Sequence, residues 1–146
     1  MLKLNMKKML VTITLSLLLS NVASASDRYG RGEIQLSKGM ADYFIKYIRG
    51  ERSKKPSDFY VTLDGKDGIF WYCSAASSCT AGVLKDDLAD CERKTGKQCK
   101  KFAFKRSIKW KNNINPGKGK ISKFNSKMTD TEMYNKLTEL GFYNNK

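Results

Sequence analysis

The sequence predicts a small α+β domain in which β-hairpins pack with short helices and disulfides staple the fold. Helical patterns stand near both ends of the chain, and aromatic and β-branched runs with a period of two lie between them. Four cysteines behind an N-terminal export pattern add the disulfides. Residues 26–146 are long enough to bury one modest core, so we expect a single mature domain.

Residues 1–25 have the pattern of an export signal. Three lysines precede an apolar stretch at residues 9–19, and small side chains at residues 23–25 form a cleavage site. That stretch is too short to span a bilayer, which takes about 20 apolar residues, and no later stretch is as apolar. We therefore expect export to the periplasm or beyond the cell, with no transmembrane span in the mature chain.

The first elements after the signal are an irregular leader and a helix. Residues 26–36 are polar and contain glycine, which is typical of irregular structure. The helix is predicted to begin after Ser37, a suitable N-cap, and to end before Gly50. Its apolar side chains recur at helical spacing and must pack on the rest of the domain. They are Met40, Tyr43, Phe44, Tyr47 and Ile48.

A β-hairpin is predicted next. Residues 59–63 and 69–73 are β-branched and aromatic runs on either side of a turn rich in Asp and Gly. Strand alternation leads us to expect that odd-numbered residues of both runs face one core. These residues are Phe59, Val61, Leu63, Ile69, Trp71 and Cys73.

A short helix and a second hairpin follow. The helix is predicted over residues 83–93, with Gly96 just beyond its end. Two short strands are predicted around a turn at residues 105–107, because large apolar side chains alternate with small or charged ones on both sides of it. Those apolar side chains are Phe102, Phe104, Ile108 and Trp110.

The chain ends in a loop and a helix. Residues 112–127 contain turn and breaker residues throughout and are predicted to form a basic loop. The helix predicted over residues 129–141 has well-marked ends, since Thr129 and Glu132 form a capping box and Gly141 supplies the stop. So short a helix is marginal alone, so we expect it to dock on the domain.

All four cysteines, Cys73, Cys79, Cys91 and Cys99, lie in the mature part. Three connectivities are open, and we favour Cys73–Cys79 with Cys91–Cys99 because each bridge closes a short loop between neighbouring elements. A zinc site with four thiolates is the alternative, but the intervals of five, eleven and seven residues lack paired knuckles. We therefore expect disulfides, with no metal and no cofactor.

The stretch from Trp71 to Trp110 carries a recognisable order of residues. A helix ending in Cys91 precedes Cys99, an aromatic-Ala pair at Phe102, and a strand ending in Trp110. This order resembles a pattern in small uncharacterised bacterial exported proteins. The resemblance implies an α+β fold and a Cys91–Cys99 pair, and it implies no activity.

Positive charge is concentrated in one region. Residues 93–127 hold thirteen Lys and Arg and no Asp or Glu, in a chain with 28 Lys and Arg against 14 Asp and Glu. Such a region favours an anionic polymer as partner: nucleic acid, lipopolysaccharide or a cell-wall polymer. The predicted anion-binding residues are Lys100, Lys101, Lys105, Arg106, Lys109, Lys111, Lys118, Lys120, Lys123 and Lys127.

Other interpretations of these residues stay open on sequence alone. The lysines also fit solvated surface charge, or a structural or inhibitory module that binds an acidic protein. The aromatic residues also fit stacking on bases or sugars, although their strand spacing favours core packing.

Catalysis has few candidates. The chain contains no histidine, which excludes Ser-His-Asp and Cys-His catalysis. A cell-wall glycoside hydrolase using carboxylates is the alternative function, with Glu33, Asp42 and Asp58 as its remaining candidates. No recognisable signature flanks these acids, so we expect no catalytic residues and a non-catalytic exported protein.

Overall fold

The computed structural model of the chain describes residues 28–74 and 84–144. The elements are helix α1 (Lys38–Arg49), strands β1 (Lys54–Thr62) and β2 (Gly68–Ser74), helix α2 (Leu84–Thr95), strands β3 (Cys99–Phe104) and β4 (Ser107–Ile108), and helix α3 (Asp130–Glu139). The predicted α+β class is confirmed. The export signal predicted at residues 1–25 lies outside the described residues.

One antiparallel sheet organises the domain. Its strand order is β2-β1-β3-β4, so β1 pairs with both β2 and β3. The two predicted hairpins are therefore joined edge to edge in a single sheet. No helix in the described part of the chain has the length and apolar character needed to cross a membrane.

Both faces of the sheet are covered. Helices α1 and α3 lie over one face and enclose the main core, where the ring of Phe44 meets three other rings edge-on at centroid distances of 5.3 to 5.4 Å. Helix α2 lies over the other face and encloses a second, smaller core around Tyr60, Ile69, Cys91 and Cys99. Because both faces are buried, each strand carries apolar side chains on both faces, and their alternation does not show which face a residue occupies.

The helix ends follow their predicted signals. The Ser37 hydroxyl accepts a hydrogen bond from the backbone N–H of Met40, and Gly50 ends α1 with φ of 76°. At α3 both halves of the capping box between Thr129 and Glu132 are present. These local predictions are confirmed because each depends on residues within one turn of the helix end.

The leader, residues 28–36, contains neither a helix nor a strand but is packed into the domain. Ile34 and Leu36 are buried in the main core. The indole N–H of Trp110 donates to the carbonyl of Gly32 at 2.9 Å, and the indole ring lies directly over Gly30. Isolated bridges join Tyr29 to Lys101 and Arg31 to Lys111, so the leader is a structural part of the sheet edge.

The first hairpin is confirmed, but its predicted facing is wrong for β2. Phe59 pairs with Phe70 and faces the main core, whereas Tyr60 pairs with Ile69 and faces the second core. Leu63 lies beyond the end of β1 and is 47% exposed. Because helices cover both faces, apolar residues occupy odd and even positions alike, and alternation could not fix the register.

A β-bulge changes the facing of β3. Phe59 pairs with Ala103 while the next residue, Tyr60, pairs with Lys101, so Phe102 is the extra residue. Phe102 and Ala103 both enter the main core. Lys101 turns to the opposite face, where its ammonium lies 5.6 Å from the centre of the Phe104 ring. Phe102 and Phe104, which alternate with small or charged residues in the sequence, therefore lie on opposite faces of the sheet.

Lys101 forms a buried ion pair with Asp58. The two side chains are only 1% and 5% exposed. The Ser57 hydroxyl donates to the second carboxylate oxygen at 2.6 Å, and the rings of Tyr29 and Tyr60 flank the ammonium at 5.9 and 5.3 Å. Lys101, predicted as an anion-binding residue, is thus buried and paired, and it is not part of a basic surface.

The predicted Cys91–Cys99 disulfide is confirmed. It joins α2 to β3 across the second core, with both cysteines buried. This pairing is incompatible with a zinc site of four thiolates. Cys73 is also disulfide-bonded, and its predicted partner, Cys79, lies outside the described residues.

The buried ion pair predicts a strong asymmetry between neighbouring lysines. Lys101→Met leaves the Asp58 charge buried without its partner, which should lower the free energy of unfolding by about 3–5 kcal/mol. Lys100→Met, on the same strand, should cost about 1 kcal/mol or less, because this side chain is only half-buried and a charge in contact with water contributes little to stability through its ion pairs. Urea unfolding of both variants tests this, and equal losses would contradict the assigned pair.

Two glycines should respond oppositely to alanine. A Cβ on Gly30 would lie 1.9 Å from Cε3 of Trp110, so Gly30→Ala should destabilise by about 1–3 kcal/mol. Gly39 lies in α1 with nothing within 4 Å of its added Cβ, so Gly39→Ala should stabilise by up to about 1 kcal/mol. Urea midpoints that move in the same direction would contradict this account of the leader.

Candidate anion-binding site

The predicted basic residues differ in their access to solvent. Lys101 is buried as described, and Lys100, Arg106 and Lys109 are half-buried. The remaining six are exposed: Lys105, Lys111, Lys118, Lys120, Lys123 and Lys127. Those six all lie on the β3–β4 turn, just after β4, or in the loop at residues 112–127.

A hydrogen bond from a tyrosine of α1 holds the β3–β4 turn. Lys105 has φ of 51°, a left-handed conformation that costs energy for a residue other than glycine. The hydroxyl of Tyr47, on α1, shares its proton between the carbonyls of Lys105 at 2.6 Å and Ser57 at 3.1 Å. Tyr47 thereby fixes the turn that carries Lys105 and Arg106.

Arg106 is the most firmly held of the cations on this turn. Its Nε donates to the carbonyl of Ile48 at 2.8 Å, in the last turn of α1, where a cation complements the helix dipole. Its own carbonyl accepts a hydrogen bond from the N–H of Phe124 at 2.7 Å. Both the side chain and the backbone of Arg106 are therefore fixed.

The loop at residues 112–127 is closed by buried polar side chains. Asn115 and Ser122 are fully buried, and the Ser122 hydroxyl donates to the Asn115 side-chain oxygen at 2.6 Å. The Asn115 amide donates to the carbonyl of Trp110 at 2.7 Å, and its backbone N–H donates to the Asn112 side chain at 2.6 Å. The loop backbone is thus determined by internal hydrogen bonds, while its lysines point to solvent.

The loop returns to the second hairpin and closes a cavity with it. Ile108 donates to the carbonyl of Ser122 at 2.9 Å, and Lys123 pairs with Ser107. The resulting open cavity has a volume of about 360 Å³. Its lining residues are Arg106, Lys120, Lys123, Phe124, Asn125 and Ser126.

We call this cavity, with its six lining residues, the basic cavity. Three of its lining residues are cations and none is a carboxylate. Two other cavities contain acids: one near β2 includes Asp67, and one near the end of α1 includes Asp42 and Asp130. Of these three, only the basic cavity is suited by charge to an anion.

The other predicted basic residues lie outside the basic cavity. Gly117 lies close to the carbonyl of Lys109 and the side chain of Lys111, which places Lys118 beside the segment that follows β4. Lys127 follows the cavity residue Asn125, whose side-chain oxygen accepts from the Lys127 N–H at 2.9 Å. These lysines extend the positive surface away from the cavity, whereas Lys100 lies opposite Val61 in the sheet.

The three candidate catalytic acids do not converge within the described residues. Glu33 is exposed and accepts from the Asn113 amide at 3.4 Å. Asp42, on the outer side of α1, pairs with Lys38 at 3.1 Å. Asp58 is buried against Lys101 on the face of the sheet opposite α1. The separation of these acids gives no support to the paired-carboxylate chemistry of a glycoside hydrolase.

Several residues of the site were not singled out from the sequence. Asn125 and Ser126 line the basic cavity and offer polar side chains to a ligand. Tyr47 was predicted only as a core residue of α1, although its hydroxyl fixes the β3–β4 turn. The Asn112-x-x-Asn115 spacing, typical of side chains that cap a turn, is a local signal that could have indicated an ordered loop.

Comparison of the chain with protein-family models, curated proteins and solved structures returned no match. The site must therefore be interpreted from its own geometry.

Two buried tyrosines should make stability fall at alkaline pH. Burial, with a smaller effect of the Asp58 charge, raises the pKa of Tyr47 and the pKa of Tyr60 well above the ordinary value of 10. The unfolded chain loses these protons first, so the free energy of unfolding should fall as the pH rises above about 10. Urea unfolding between pH 8 and 11 measures this decline.

Phenylalanine variants separate the two tyrosines. Tyr47→Phe removes hydrogen bonds to two carbonyls and should cost about 1–2 kcal/mol at pH 8, while Tyr60→Phe should be nearly neutral. The reason is that the Tyr60 hydroxyl has no hydrogen-bond partner among the described residues. Each variant should show a shallower alkaline decline than the parent. An unchanged decline in both would contradict the assigned pKa shifts.

Proposed function

We propose that this protein is an exported, non-catalytic protein that binds anionic polymers through the basic cavity and the lysines around it. The observation that carries the proposal is the convergence of Arg106, Lys120 and Lys123 on one open cavity with no carboxylate in its lining. Export is supported by the N-terminal pattern and by the buried Cys91–Cys99 disulfide, a bond typical of oxidising compartments.

The surface suits a polymer better than a single small ion. Exposed lysines continue from the cavity along the loop, so successive charges of a chain can be neutralised at once. Lysine acts as a point charge on a flexible stem, which favours charge density over base or sugar identity. Nucleic acid, lipopolysaccharide and cell-wall polymers all meet this requirement, and binding to any of them should weaken steeply with salt.

A matched pair of double variants tests the proposal. Lys120→Gln with Lys123→Gln removes two charges at the cavity, and Lys54→Gln with Lys55→Gln removes two exposed charges at the start of β1. With a DNA duplex as the probe polymer, the cavity variant should reduce the slope of log K against log salt by about 2 and weaken binding by about tenfold or more. Fluorescence anisotropy between 50 and 200 mM salt measures both quantities.

The control variant should keep most of the affinity and slope of the parent. Both variants should melt within a few degrees of the parent, since all four side chains are exposed. Equal slopes for the cavity variant and the parent would refute the role proposed for the cavity.

A further inference from the structure

We infer that the basic cavity selects dianionic phosphate monoesters, such as the terminal phosphate of a phosphorylated sugar, over the phosphodiesters of a polymer backbone. This inference rests on the proposed function and makes it specific. The protein would then recognise phosphorylated ends or branches of an anionic polymer, and the surrounding lysines would attract the polymer nonspecifically by charge.

Charge complementarity is the first argument. Three cations converge on one cavity, and a phosphate monoester carries a charge of −1.5 to −2 at pH 7, whereas a diester or a carboxylate carries −1. A site that concentrates three positive charges gains most from the ligand group with the highest charge on a single centre. A phosphodiester in the cavity gains less, because it brings only one negative charge to the same three cations.

The fixed position of Arg106 is the second argument. One of the five N–H donors of its guanidinium is held by the carbonyl of Ile48 at 2.8 Å, which orients the planar group without exhausting its donors. A pre-oriented guanidinium binds phosphate oxygens with less loss of side-chain entropy than a mobile lysine. Lys120 and Lys123 are exposed and can adjust around the bound group.

The remaining lining residues fit an ester that carries a sugar. Asn125 uses its side-chain oxygen for the N–H of Lys127, which leaves its amide N–H groups to donate to a ligand. The Ser126 hydroxyl adds a second neutral polar group beside the cations. A cavity of about 360 Å³ holds a phosphate together with part of the group that bears it.

The charged side chains around the cavity include no histidine, the residue whose ordinary pKa lies between about 5 and 8. The neighbouring charged groups include the Arg49–Asp130 pair beside Ser126, and Lys105 and Lys127 on the adjoining backbone. Lys136 donates to the carbonyl of Lys123 and interacts with the charge of Glu139, and Glu51 and Arg106 both act on Tyr72. Burial lowers the pKa of Lys136 from its usual range. The chain has no histidine, and carboxyl groups ordinarily titrate below pH 5.

A pH-dependent titration therefore reports the charge of the ligand. The second pKa of a phosphate monoester is about 6, so about one tenth is dianionic at pH 5 and about nine tenths at pH 7. Methyl phosphate should bind about tenfold more tightly at pH 7 than at pH 5 when ionic strength is held constant. Dimethyl phosphate, a monoanion at both values, should bind weakly and with no change.

Amide shifts in ¹⁵N-labelled full-length mature protein give both the affinity and the location. Methyl phosphate should shift the amides of Arg106 and residues 120–126, and the Lys120→Gln, Lys123→Gln variant should lose most of this binding. The Lys54→Gln, Lys55→Gln variant should bind like the parent. Equal affinity for the two esters, a shared pH dependence, or shifts outside the cavity would overturn the inference.

The same samples separate this inference from the proposed function. Steep, salt-dependent binding of a DNA duplex together with no preference for methyl phosphate would overturn the inference and leave polymer binding intact. Absence of DNA binding together with absence of methyl phosphate binding would overturn both the inference and the proposed function.

Discussion

The ion pair between Asp58 and Lys101 is the constraint on which much of this fold depends. Two charges removed from water are tolerated only while each has the other, so the strands that carry them must keep one register. The bulge at Phe102 turns Lys101 to the side of Asp58. The leader covers the pair through Tyr29, whose ring lies 5.9 Å from the ammonium. The bulge in β3 thus brings together β1, β3 and the leader around one ion pair.

The same arrangement divides the basic region into an inner and an outer part. Lys101 is buried in the ion pair with Asp58 and stabilises the fold, while the cations of the β3–β4 turn and the loop remain at the surface. Their backbone is held by the buried Asn115–Ser122 hydrogen bond and by the Tyr47 hydroxyl beneath Lys105. Binding to a pre-formed site costs less ordering of the protein, so a hydrogen-bonded loop that carries exposed lysines is suited to weakly selective attraction around one better-defined cavity.

Local signals allowed the helix ends, the first hairpin and the Cys91–Cys99 pair to be predicted, because each depends on residues close in sequence. The facing of the strands could not be predicted, because helices on both sides of the sheet place large apolar side chains on both faces of the strands. Lys100 and Lys101 look alike in the sequence, and only the long-range pairing with β1 separates them. The positive charge of the basic cavity was predicted from the sequence. Its polar residues, Asn125 and Ser126, were not, because only the contact between the loop and the second hairpin brings them to the cavity.

The central claim is that this surface binds anionic polymers, and the most direct test is binding of the mature protein to nucleic acid, lipopolysaccharide and peptidoglycan at about 50 and 200 mM salt. The account predicts tight binding of at least one polymer at the lower salt and an affinity lower by orders of magnitude at the higher salt. Absence of binding to every polymer at both salt concentrations would contradict it and would make the cations around Arg106 ordinary solvated charge.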